Sequence, residues 1–96
     1  GMHNMLAYRL YESAAGLNEL EEGLRHSNLS FTIFSPIEDE TFLYPFYETK
    51  ALLLDRLSGL DGKYEKRLDL CLGKIRKLRL ADTDVLSKEF KTKFGL

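Results

Sequence analysis

In the segment NMLAYRLYESAAGLNELEEGLRH, residues 4–26, apolar side chains return at Leu6, Leu10, Ala14, Leu17, Leu20 and Leu24. That is the spacing of one helix face. Arg9, Glu12, Glu19 and Glu22 fall on the other side, so the segment predicts an amphipathic helix. Asn4 suits its N-cap. Arg25 and His26 complement the negative end of the dipole, and Asn28 tolerates the left-handed conformation that stops a helix. The small side chains Ser13, Ala14, Ala15 and Gly16 predict a close crossing with another helix.

Two further stretches share this periodicity. In GKYEKRLDLCLGKIRKLRL the stripe is Tyr64, Leu68, Cys71, Leu72, Ile75 and Leu78, which predicts a helix over 62–79 capped by Asp61. Gly73 interrupts it at up to about 1 kcal/mol relative to alanine, and a packing role explains its presence. ADTD then offers capping residues for a last helix, 83–94, with Leu86, Phe90 and Phe94 on one face and Gly95 at its end.

Residues 31–47, FTIFSPIEDETFLYPFY, hold six of the eleven aromatic residues and both prolines. A hairpin over 30–46 suits the β-prone composition. Against it, Pro45 would break the second strand, and the turn PIEDE lacks a residue for positive φ. The helical reading fits more positions. Ser35 serves as N-cap, Pro36 as first helical residue and Glu38 as the return arm of a capping box. Glu38, Asp39 and Glu40 place negative charge at the positive end of the dipole. Phe42, Phe46, Leu53 and Leu57 then form a stripe, with Leu43, Tyr47, Ala51 and Leu54 beside it. Pro45 inside this helix removes a bond at roughly 3 kcal/mol. The expectation is a helix over 36–58 kinked near Pro45, or a short helix followed by a longer one, with residues 29–35 as an extended connector. Gly59 would end it, with Leu60 making the accompanying apolar contact.

The fold class that follows is all-α, a small bundle of about four antiparallel helices, with the hairpin at 30–46 as the alternative. The 96 residues suffice for one domain, 2–96, and Gly1 before Met2 reads as a tag remnant. A chain this short buries about two-thirds of its unfolded surface, and such domains gain burial by pairing with a copy of themselves.

Net charge is −1, so no global field selects nucleic acid or a membrane. The halves differ. Residues 1–58 hold four Lys/Arg against nine Asp/Glu, a balance of −5, and residues 59–96 hold ten against six, a balance of +4. That asymmetry suits pairing within the chain or between chains, or two solvated faces. The longest apolar run, residues 42–47, is far short of a membrane span. The single cysteine, Cys71, forms no internal disulfide and points to a reducing compartment, most simply the cytoplasm.

Signatures of chemistry are sparse. The sequence has no glycine-rich phosphate loop, no Cys-x-x-Cys pair and no His-Glu-x-x-His. His3 and His26 lie far apart in sequence and, with one cysteine, make no zinc pattern. Cys71 on an apolar stripe reads as core, not nucleophile. The carboxylate pairs Glu21-Glu22 and Glu38-Asp39-Glu40 lack the shielded cleft that acid/base work requires. Lys63, Arg67, Lys74 and Lys77 repeat at helical spacing, either a solvated face or a row that tracks phosphates.

The run TDVLSKEFKTKFGL resembles the recognition helix of an AraC-type helix-turn-helix unit, matching at Leu86, Ser87, Phe90, Lys91, Phe94 and Gly95. It departs from that pattern in its long preceding helix and in the absence of a second unit.

The expected function is a cytoplasmic protein–protein interaction module without catalytic activity or cofactor, pairing with itself or another protein. Phe31, Phe34, Leu43 and Tyr44 form the candidate interface, since a domain this small does not hide them all. One alternative is a nucleic-acid-binding regulator contacting phosphates through Lys63, Arg67, Lys74 and Lys77. The other is a ligand-binding protein or enzyme with a pocket at Tyr44, Tyr47 and Tyr64.

Overall fold

The computed structural model describes residues 2–13, 16–37 and 39–96. These residues form five α-helices and no strand: α1 Met2–Ser13, α2 Leu17–Phe34, α3 Tyr44–Leu60, α4 Glu65–Lys77 and α5 Lys88–Phe94. Turns of 3-10 helix occupy Glu40–Leu43, Gly62–Tyr64 and Leu80–Asp82. The fold is a small all-α bundle, and no described residue of 30–46 is in a strand.

Residues 4–26 are two helices instead of one. α1 stops at Ser13 and α2 starts at Leu17, with Gly16 extended; Ala14 and Ala15 lie outside the described residues. A single helix over 4–26 would be about 34 Å long, whereas the longest axis of the molecule is 32 Å. Folding back lets α2 run antiparallel to α1, with His3 stacked on His26 and Ala7 and Leu10 against Gly23. A close approach between helices lies at Gly23, continued by the buried Ser27 and Ser30; of the small run expected to make one, a Cβ at Gly16 would meet nothing within 4 Å, and Ala14 and Ala15 lie outside the described residues.

α2 then passes through Asn28 to Phe34, so residues 29–34 are helical and the extended connector is not formed. Two contributions outweigh their β propensity. Ser30 Oγ donates to the His26 carbonyl at 3.3 Å and Thr32 Oγ1 to that of Asn28 at 3.2 Å, which satisfies both hydroxyls within the helix. The helix also delivers Phe31 edge-on to Tyr47 and Phe46, and Phe34 against Phe46, with ring centroids 4.8, 5.9 and 5.3 Å apart. It ends where Pro36 lacks the next N–H. Ser35 donates from its backbone to Phe31, and Ile37 to Phe34, closing a turn. Ser35-Pro36-Ile37 thus ends a helix instead of starting one; the capping arm Glu38 lies outside the described residues.

The difficulty at Pro45 disappears because α3 begins at Tyr44. Pro45 stands in the first turn, where a missing N–H costs nothing, after the 3-10 turn Glu40–Leu43. α3 is the central element. Ala51, Leu53, Leu54 and Leu57 are buried at its contacts with the other helices. Gly59 lies within α3, which runs on to Leu60, an exposed side chain. Asp61 caps the following turn as expected, accepting the Lys63 N–H at 3.1 Å.

The stripe of α4 is as read: Tyr64, Cys71, Leu72 and Ile75 are buried, with Leu68 and Leu78 packed beside them. Gly73, however, faces open space and has no packing role.

The last helix starts at Lys88, not residue 83, because Thr83 turns back to donate to the Leu80 carbonyl at 2.7 Å. α5 is linked to α3 through its Lys93 ammonium, 3.2 Å from Asp55, with Leu86 and Phe90 buried. Gly95 ends it at φ 65°, and Leu96 donates to the Lys91 carbonyl at 2.8 Å, the bond of a Schellman motif. Ser87 Oγ accepts the Phe90 N–H at 3.1 Å. Ser87→Ala should therefore destabilise the chain by about 1 kcal/mol, a fall of roughly 4–8 °C in melting temperature. A thermal melt of the variant followed by circular dichroism checks this, and Ser87→Asp should melt like the parent.

Candidate functional site

Two features stand out once the helices are placed. The first is a basic cleft between α3 and α4. Its volume is about 230 Å³, and Tyr47, Lys50, Arg67, Leu70, Cys71 and Lys74 line it. Arg67 and Lys74 are two turns apart on one side of α4, and Lys50 comes from α3 opposite. Arg67 also borders an adjoining cleft of about 310 Å³ that includes Asn28, Thr32 and Tyr64.

Lys74 Nζ is 3.1 Å from Glu40, which closes one rim of the cleft. Lys50 Nζ lies 5.2 Å from the Phe31 ring centroid and the Arg67 guanidinium 5.7 Å from that of Tyr64. Burial, and then the charge of Arg67, push the Lys50 ammonium below its ordinary range, while Cys71 acts in the opposite direction. Burial pushes the Cys71 thiol up to about 11, against the smaller effect of Lys50. It keeps its proton at neutral pH and is no nucleophile there.

The second feature is an apolar tip. Ile33 near the end of α2 is 44% exposed, Ile37 in the next turn 74%, and Phe42 in the 3-10 turn 67%. Asp39 and Glu40 are exposed beside them.

The residues singled out from sequence divide between these features and the core. Leu43 is buried at 2% exposure, so it is not on a contact surface of this chain. Phe31 and Phe34 are half-buried against Phe46 and Tyr47, and Tyr44 is half-buried against the core. Of the aromatic side chains in residues 31–47, the exposed one is instead Phe42, expected in the core stripe. The 3-10 turn rotates it off the face that α3 presents.

Of the basic row, Arg67 and Lys74 meet in the cleft. Lys63 pairs with Asp61 at 3.7 Å, and Lys77 is exposed away from the cleft lining. Lys50 was missed. Alone on an apolar helix it looks like a solvated exception, and only its i+3 spacing from Tyr47 hinted that both face one cleft.

The three tyrosines do not share a pocket. Tyr47 lines the basic cleft, Tyr64 the adjoining one, and Tyr44 neither. The Tyr64 hydroxyl donates to Glu21 at 2.7 Å; this bond, then burial, raises its pKa.

His3 and His26, distant in sequence, are neighbours, with their Nδ1 atoms 3.0 Å apart. Which ring donates and which accepts depends on the tautomers. Among the described residues no three His, Cys, Asp or Glu side chains are grouped to hold a metal ion. No helix among them is long and apolar enough to cross a membrane.

The likeness of residues 83–96 to a recognition helix stays local. Residues 78–87, with their own 3-10 turn, separate α4 from α5 where a helix-turn-helix has a tight turn. No family model, no curated protein and no solved structure matches the chain.

Proposed function

We propose that this chain is a small non-catalytic interaction module that pairs with a second copy of itself through the tip at Ile33, Ile37 and Phe42. The observation that carries the reading is the exposure of Ile33, Ile37 and Phe42, all near the connection from α2 to α3. Large apolar side chains grouped in water mark a contact surface.

A second copy suits this surface on charge. The net charge of −1 leaves little repulsion between copies. The free thiol of Cys71 fits a reducing compartment such as the cytoplasm.

Pairing couples stability to concentration. The melting temperature of the parent chain should rise with protein concentration, and that of Ile37→Asp/Phe42→Asp should not. A melting temperature independent of concentration in both would overturn the reading.

A further inference from the structure

Lys50, Arg67 and Lys74 reach one recess from two helices. Among the described residues, only Lys74 of the three has a carboxylate within ion-pair distance, that of Glu40 at 3.1 Å. Lys50 and Lys74 are half-buried there and Arg67 is exposed, and bringing cations together at a partly shielded recess is unfavourable unless an anion offsets them. The other polar groups there are donors at neutral pH. Burial, and then the charge of Glu40, push the Tyr47 hydroxyl above its ordinary range, so it stays protonated. The Cys71 thiol is protonated as well.

We infer that this cleft binds a small phosphate-bearing anion, gripped by Lys50 and Arg67, with Lys74 shared between the ligand and Glu40. Phosphate suits the set because the planar guanidinium of Arg67 can present two N–H groups to it while the lysines act as point charges. The recess of about 230 Å³ is smaller than the usual pocket for a drug-sized ligand. The adjoining cleft at Asn28 and Thr32 gives room for a polar body beyond the phosphate. A nucleic-acid backbone fits less well. It asks for cations along a track, and here they converge inward while Lys63 is paired with Asp61.

Glu40 makes the inference sharp. It is the internal competitor for Lys74, so removing its charge should tighten binding. The inference does not rest on self-association, because no tip residue lines the cleft.

The test is a titration followed by amide NMR on the parent chain, Phe42→Asp, Lys50→Met, Arg67→Ala and Glu40→Gln. The probes are inorganic phosphate, glycerol 3-phosphate and duplex DNA at matched chloride. Saturable shifts centred on Tyr47, Lys50, Arg67 and Cys71 are expected with both phosphates, at equal affinity in Phe42→Asp. Glycerol 3-phosphate binding tighter than inorganic phosphate marks an organic monoester as ligand, and equal binding marks the free ion. Lys50→Met and Arg67→Ala should each weaken binding about tenfold, the loss of one charged contact. Glu40→Gln should strengthen it, a gain that misfolding cannot imitate. Non-saturating shifts, shifts spread over Lys63, Lys66 and Lys77, no gain in Glu40→Gln, or tighter binding to DNA than to either phosphate would overturn the inference.

Discussion

Leu53→Ala is expected to destabilise the chain by about 3 kcal/mol, with a melting temperature roughly 12–24 °C lower. Leu53 is fully buried, at 0% exposure, on the helix that contacts α1, α2 and α4. Its Cδ2 lies against Gly23 of α2, 2.9 Å from where a Cβ on that glycine would stand. Truncation therefore removes apolar burial and opens a cavity beside Gly23, which has no side chain to move into it. Urea unfolding measures this as a lower midpoint at unchanged slope. A loss under about 1 kcal/mol would mean that α2 and α3 do not pack as described.

Gly23→Leu should destabilise by a similar amount, about 3 kcal/mol, for the opposite reason. A Cβ at Gly23 would already lie 2.9 Å from Leu53 Cδ2 and 3.3 Å from Leu10 Cβ. A longer side chain has to force α1 or α3 away from α2. Gly23→Ala is much milder. The gain in helix propensity, about 1 kcal/mol, opposes a contact that the end of Leu53 can partly relieve. The two sites should also couple. Gly23→Ala in the Leu53→Ala background should recover stability, because the added methyl fills part of the cavity.

The helix-forming parts of this fold are visible in the sequence wherever one apolar stripe faces one neighbour. α4 is of that kind, with Cys71, Leu72 and Ile75 buried where their spacing puts them, and in α5 Phe90 is buried as expected while Leu86 is buried just before the helix starts. The first three helices were harder for a common reason: their limits depend on what they pack against. The stripe read from Leu6 to Leu24 spans two helices, α1 and α2, and only part of it is core: Leu20 and Leu24 are buried, whereas Leu6 and Leu17 are exposed. Residues 29–34 look β-prone until Phe31 and Phe34 find Phe46 and Tyr47. Pro36 and Pro45 were each placed one element away from their real role. Pro36 ends α2, and Pro45 stands in the first turn of α3.

The candidate sites follow from those corrections. Once α2 extends to Phe34, Leu29 and Ile33 share its outer face, and both are exposed. Phe42 then leaves the core stripe. The basic cleft was half legible, since Arg67 and Lys74 show their two-turn spacing in any helical reading. Lys50 joins them only through the antiparallel packing of α3 on α4, which brings the Cys71 thiol to the Tyr47 carbonyl at 3.7 Å.

The most direct measurement is the mass of the parent chain by sedimentation equilibrium over a range of micromolar concentrations. A self-pairing module predicts a weight-average mass that climbs from 11.1 kDa toward twice that value. It also predicts that Ile37→Asp/Phe42→Asp holds at the monomer mass under the same conditions. A parent chain fixed at 11.1 kDa at every concentration would contradict it.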